Sequence, residues 1–182
     1  MSGPRLWRGA SLKAGLLIVA VVLVALQRLL ELRHSRRNER RLRSRGAVER
    51  GRRHYPAMVA VHALWLASML VEGLVRGPEP PAWWPAPLAL FLLVQPLRYW
   101  AISSLGENWN VRILVVPGGR LVRSGPYRLF SHPNYVVVAA EVLTLPLIFG
   151  AWTTALAFSI FNTAFFCVRI RAENRALREL AG

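Results

Sequence analysis

Three short strings carry side chains whose types and spacing could do chemistry. The first is His132-Pro133-Asn134-Tyr135. Proline suits the first position of a helix, so the string predicts a helix starting at Pro133 with His132 as its cap. The free N–H groups of such a start favour an anion such as a carboxylate. His132 and Tyr135 would project from the first turn. The second string is Arg169-Ile-Arg-Ala-Glu173-Asn174. Arg169 and Glu173 are four apart and share one helix face, where a plain ion pair is the simple reading, although Arg before Glu is the weaker order. At a common depth with His132, they would bring together a cation, an anion and a helix N-terminus. That constellation could hold a zwitterionic cofactor beside an anionic substrate; a capped helix with an interfacial tyrosine is the structural alternative. The third string, Ile113 to Val122 around Pro117-Gly118-Gly119, predicts a short hairpin. Its glycine pair is a turn. No G-x-G-x-x-G follows a strand and opens a helix, so no Rossmann domain is expected.

The elements that must position these residues are apolar. Of 182 residues 54% are hydrophobic and only 18% charged, yet the formal net charge is +15. Grease and charge alternate in blocks, which argues against a water-soluble domain and against disorder. A membrane helix needs about 20 mostly apolar residues. Leu12 to Leu30, Ala57 to Val75, Pro87 to Ser104, Tyr135 to Trp152 and Thr153 to Val168 read as five spans, the third with a kink at Pro96. The fold class expected is therefore an all-α integral membrane protein, one multi-pass domain over 1–182. Residues 1–104 hold three spans and a basic loop, 33–53; residues 105–182 hold the chemistry-bearing strings, two spans and a tail. Arg5, Arg8 and Lys13 before an apolar run fit a signal-peptide pattern, but no small-x-small site follows, so the segment is expected to stay.

Charge orients the spans. Arg33 to Arg53 carries ten arginines, Arg112 to Arg128 four, and Arg169 to Arg178 four. Five spans put all three segments on one side, which the positive-inside rule makes cytoplasmic, giving an N-out, C-in topology. The basic loop predicts a surface helix over Leu32 to Glu49, its arginines against anionic lipid. No aromatic stacking platform accompanies it, so nucleic acid is not the expected partner. Cys167 is the only cysteine, which excludes an internal disulfide and argues against a cysteine-based zinc site; no metal is expected. Arg28, Glu72, Arg98, Glu141 and Asn162 lie within spans, where polar groups invite a functional reading. Glu141 could pair with Arg98 or serve a site, and Asn162 reads as interhelical glue.

Taken together, Gly125-Pro-Tyr127, His132-Pro-Asn-Tyr135 and Arg169-x-x-x-Glu173 before an amphipathic tail resemble the isoprenylcysteine carboxyl methyltransferase family. The resemblance covers the chain from about Tyr99 onward. Arg98 to Gly106, Trp109 to Pro117 and Leu145 to Leu147 look closest to a bacterial branch associated with O-methylation of long-chain alkylresorcinols and alkylpyrones. The resemblance implies a membrane O-methyltransferase that uses S-adenosylmethionine without a Rossmann domain. It implies a bacterial cytoplasmic membrane, with the site facing the cytoplasm. By the same resemblance Gly119, Arg120, Leu121, Val122, Tyr127, His132 and Tyr135 form the cofactor-binding stretch, with Arg112 loosely at its wall. The resemblance also implies that Glu173 holds the cofactor at its amino group, that Arg169 meets the anionic acceptor, and that Arg169 and His132 are the catalytic residues. Two positions depart from the family pattern: Ser131 stands where a basic residue is common, and Asn174 where a second acid is common.

Methyl transfer from a sulfonium to oxygen is an in-line displacement in which positioning supplies much of the catalysis. A carboxylate acceptor, with a pKa of about 3.5, arrives ionised and needs no base. A phenol, with a pKa near 10, gains from a proton acceptor, for which His132 or a nearby tyrosine is a candidate. The partner is thus a lipophilic small molecule or a prenylated substrate, prenylcysteine-like or alkylresorcinol- or alkylpyrone-like, entering from membrane lipid. A non-enzymatic membrane scaffold or anionic-lipid-binding subunit is the competing expectation. Oligomeric state is not legible in the sequence.

Overall fold

The computed structural model describes residues 3–77 and 80–180. The side chains of residues 3–11, Arg5 and Arg8 included, lie outside the described residues, as do Pro78 and Glu79 of the proline-rich connection. Among the described residues there are five α-helices: α1 (Gly3–Ser44), α2 (His54–Arg76), α3 (Pro85–Leu105), α4 (Pro133–Ile148) and α5 (Trp152–Leu180). Two three-residue strands, β1 (Val48–Arg50) and β2 (Ile113–Val115), and single 3₁₀ turns at Gly106–Asn108 and Gly125–Arg128 complete the set. This is a helical membrane architecture with no Rossmann fold.

Four helices are long and apolar enough to cross a membrane: α1 from Leu12, α2, α3 and α5. The expected fourth span is shorter than its sequence suggested. Backbone N–H groups of Phe149 and Ala151 close onto the Pro146 carbonyl, ending α4 at Ile148 instead of Trp152. Its 16 residues rise only about 24 Å, against a hydrocarbon core of about 30 Å. Val137, Val138, Glu141, Val142, Thr144 and Leu145 are buried, because α4 packs chiefly on α3 and α5. Leu17, Trp65 and Met69 close the core around it, and the Trp65 indole donates to the Val142 carbonyl at 3.2 Å. Opposite the basic end, the Glu72 carboxylate caps α5 by accepting from the Thr153 and Thr154 backbone N–H groups at 3.0 and 2.7 Å.

Two further expectations change. The basic segment is no separate surface helix: α1 runs unbroken from Gly3 to Ser44, about 63 Å at 1.5 Å per residue. No glycine or proline interrupts it between Gly15 and Gly46, and arginine and leucine are strong helix formers. Gly46, at φ 79°, ends it. Nor do Ile113–Val116 and Leu121–Val122 form a hairpin. β2 pairs antiparallel with β1, Val48 opposite Val115 and Arg50 opposite Ile113. The apolar side of β2 is buried against Ala172, Ala176 and Leu180 of α5. α1 fixes the approach: Asn38 donates to the Gly106 and Trp109 carbonyls at 3.0 and 2.8 Å, and the Ser35 hydroxyl accepts from Val111 N–H at 3.0 Å. Gly118, at φ 70°, then turns the chain so that its N–H reaches the Leu180 carbonyl at 2.7 Å.

The three arginine-rich segments meet at one end. Arg41 and Arg45 pair with Glu107, Arg112 with Glu39 and Glu49, and Arg50 with Glu179. Burial pushes the Glu49 carboxyl up, but guanidinium hydrogen bonds from Arg43 and Arg112 outweigh it and leave the group below its ordinary range.

Candidate active site

At the basic end a cavity of about 1010 Å³ opens among α1, α2, α4, α5 and the 109–134 connection. Gly119, Arg120, Leu121, Val122, Tyr127, His132, Tyr135, Arg169 and Glu173 all line it. Every candidate site residue therefore borders one space.

Local structure explains the convergence. α4 starts at Pro133, as its proline predicts, with His132 in the cap position. The His132 side chain makes no cap hydrogen bond; its ring turns to α5, with Nε2 3.0 Å from Asn174 Oδ1 and Nδ1 3.9 Å from Glu173 Oε1. Asn174 thus serves to hold the imidazole. The 125–128 turn is seated on α3 because Gly125 lacks a side chain. A Cβ there would stand 2.0 Å from Ser104 Oγ and 2.9 Å from Trp100 Nε1.

Arg169 and Glu173 do not form the simple i,i+4 pair. The Tyr135 hydroxyl stands between them, donating to Glu173 Oε2 at 2.6 Å and accepting from Arg169 Nε at 2.8 Å. Arg169 is buried at 5% exposure, its Nη2 donating to the Val111 carbonyl. Among the described residues its Nη1 meets only the Met58 thioether, at 3.6 Å, a weak acceptor. One edge of a buried guanidinium is thus left short of an oxygen partner beside the cavity. Burial, and then the charge of Glu173, raise the Tyr127 phenol well above its ordinary pKa, so it remains a neutral donor. Arg112 lines the wall but is held by Glu39 and Glu49, its guanidinium 4.0 Å above the Tyr55 ring.

Two features escaped the sequence reading, and a third goes beyond the Glu141–Arg98 pair expected from it. Asn134 Oδ1 is buried at the cavity wall without a hydrogen-bond partner among the described residues. Its place inside the His-Pro string was a signal, though its role was not. His62, one turn along α2 from Met58, lines the cavity and bonds the Met58 carbonyl through Nδ1 at 2.9 Å. A carbonyl only accepts, so Nδ1 carries a proton and Nε2 is the ring atom left to accept one. No sequence motif marks it.

The third feature is a charge cluster beside the cavity, whose Arg28, Glu31 and Arg98 line the wall. Glu141 receives Arg28 at 2.6 Å, Arg98 at 2.9 Å and Gln95 at 2.8 Å. Glu31 receives Arg28 at 2.9 Å and, on its two oxygens, the Nε and Nη2 of the Arg98 guanidinium. Two arginines and two glutamates neutralise one another inside the bundle. Arg98 is indeed a Glu141 partner; Arg28 and Glu31, a turn apart on α1, complete the set.

A family model described as isoprenylcysteine carboxyl methyltransferase (ICMT) family matches residues 87–179, taking in α4 and nearly all of α3 and α5. The uncharacterized protein YpbQ of Bacillus subtilis (strain 168) is 45% identical over 163 residues, 90% of this chain and 96% of its own length. An uncharacterized protein of Haemophilus influenzae is 26% identical over 154 residues, 84% of this chain and 90% of its own. No solved structure matches.

Proposed function

The chain belongs to the isoprenylcysteine carboxyl methyltransferase family, a family of membrane methyltransferases, and from that premise we propose that it methylates an oxygen of a lipophilic acceptor using S-adenosylmethionine. The observation that carries this reading is the single cavity bordered by Arg169, Glu173, His132, Tyr135 and the 119–122 segment. Its other wall is apolar, with Ala25, Leu29, Val59 and Ala63, which suits a hydrocarbon tail entering from the bilayer. The basic end faces the cytoplasm on the positive-inside rule.

The residues suit the cofactor. The Glu173 carboxylate and the orphaned Asn134 acceptor offer sites for ammonium and hydroxyl donors. His132, Tyr127 and the backbone of 119–122 border the same end. When bound, the cofactor supplies an electrophilic methyl group on a sulfonium. The protein contributes position and charge: Tyr135 locks Arg169 and Glu173 in register, and the free Arg169 edge orients the acceptor oxygen. Tyr135→Phe removes both hydroxyl bonds to charged groups, each worth about 1.5–3 kcal/mol. We expect at least a roughly tenfold fall in kcat/KM with folding retained, read by initial rates and thermal unfolding.

The acceptor is a carboxylate or a hydroxyl. A carboxylate needs only Arg169. A hydroxyl must lose its proton, and the Tyr135 hydroxyl, already donating and accepting, is poorly placed to take it. His62 borders the same cavity with its Nδ1 engaged by the Met58 carbonyl, and its Nε2 is the better-placed base. His62→Gln is then expected to lower turnover of a phenolic acceptor by about 10²-fold or more and to leave a carboxylate acceptor nearly unchanged. Product chemistry tests the reading. Purified protein in lipid, given labelled S-adenosylmethionine with a prenylcysteine or an alkylresorcinol, yields a base-labile ester from the first or a base-stable ether from the second. Transfer to neither would overturn it and favour a non-enzymatic scaffold.

A further inference from the structure

We propose that the exposed face of α1 bearing Arg33, Arg36, Arg37 and Arg40 binds the headgroup of an anionic phospholipid whose acyl chains lie along the same face of the helix. The four arginines fall at i, i+3, i+4 and i+7 and so form one stripe. All four are exposed, and with Leu29 and Leu32 they line a groove of about 500 Å³. Because α1 is one unbroken helix, the stripe continues toward the N-terminus as Leu30, Leu29, Leu26, Leu23, Val22 and Val19, all exposed. Positive charge gives way to hydrocarbon between Arg33 and Leu30. A ligand matching this surface has an anion above and acyl chains below.

The distribution of acids separates this stripe from the other arginines nearby. Arg28 pairs with Glu31 and Glu141, Arg41 and Arg45 with Glu107, and Arg43 with Glu39 and Glu49. Among the described residues, no ion pair involves Arg33, Arg36, Arg37 or Arg40. Like charges at i,i+4 destabilise a helix, and here they persist while every nearby acid faces another way. A lipid phosphate removes that repulsion. The inward face of the same turns, Ser35, Asn38 and Leu42, is buried, so the stripe is the outward face of a firmly seated helix. It carries no aromatic side chain on which a nucleic-acid base could stack.

Leu29 and Leu32 line both the groove and the large cavity. A bound lipid therefore rests against the outside of the acceptor wall, and its loss is expected to raise the acceptor KM. That last effect rests on the proposed methyl transfer; lipid binding does not.

The test uses the full-length protein in nanodiscs of phosphatidylcholine, alone or mixed equally with phosphatidylglycerol. Lipid retained on transfer to detergent is read by native mass spectrometry. Wild type is expected to keep phosphatidylglycerol in preference to phosphatidylcholine, with the preference falling as salt rises. Each Arg→Gln change among the four should weaken retention roughly fivefold. Arg41→Gln with Arg45→Gln, off the stripe, should leave it intact, and an unchanged melting temperature shows that each variant folds. Equal retention of the two lipids, equal retention by the quadruple variant, or displacement of the lipid by a short RNA would overturn the proposal. Normal lipid retention without methyl transfer would overturn the proposed function and leave the lipid site standing.

Discussion

Arg169→Ala is expected to lower kcat/KM for methyl transfer by about 10²–10³-fold, the loss typical of removing one preorganised charge-stabilising donor. Three contacts fix the guanidinium: the Tyr135 hydroxyl, the Val111 carbonyl and the Met58 sulfur. Alanine removes the donor proposed to meet the acceptor and frees Tyr135 from half its bonding. Arg169→Lys should recover little. A single ammonium cannot span Tyr135 and Val111 while presenting a third donor to the cavity. Glu173 keeps its Tyr135 bond in the alanine variant, so cofactor affinity measured by calorimetry should change far less than turnover. A fall in cofactor affinity as large as the fall in rate would reassign Arg169 to the cofactor.

The second large effect concerns stability. Glu141 is 1% exposed and Arg98 2%, and both lie in the interior of a membrane bundle. Glu141→Ala strips one carboxylate from Arg28 and Arg98 and leaves Glu31 to serve both. Breaking a buried pair in this way costs about 3–5 kcal/mol. A marked drop in the unfolding temperature in detergent is the expected result. Replacing Arg98 by Met together with Glu141 by Leu should recover part of the loss, because removing both partners leaves less uncompensated charge. A Glu141→Ala protein as stable as wild type, but inactive, would move the cluster from structure to chemistry.

The residues that converge on the cavity were more legible in the sequence than the scaffold that assembles them. Pro133 starts α4 because its fixed φ and missing N–H suit a first turn, and four-residue spacing puts Arg169 and Glu173 on one face wherever α5 begins. Such local rules survive folding. Tyr135 as the bridge between them depends on how α4 packs on α5, which no local rule states. The pairing of β1 with β2 was hidden for the same reason. Each strand has three residues, too few for an alternating pattern, and the partners are separated by α2 and α3. Hydropathy found every membrane element but overran α4, since Phe149 and Ala151 are apolar and only the Pro146 carbonyl reveals that they form a turn. His62 was invisible because a lone histidine among alanines and leucines carries no signal until its tautomer is fixed by a carbonyl.

The most direct test is transfer of tritiated methyl from S-adenosylmethionine into a lipid-extractable product by purified protein in lipid, comparing wild type, Arg169→Ala and Glu173→Gln. Label in the extract with wild type is expected, together with loss in Arg169→Ala at saturating cofactor and a raised cofactor KM in Glu173→Gln. Label transferred equally by all three would show that the chemistry lies elsewhere in the chain. No label from wild type with either acceptor, with the protein folded, would show that the cavity does not transfer methyl groups to them.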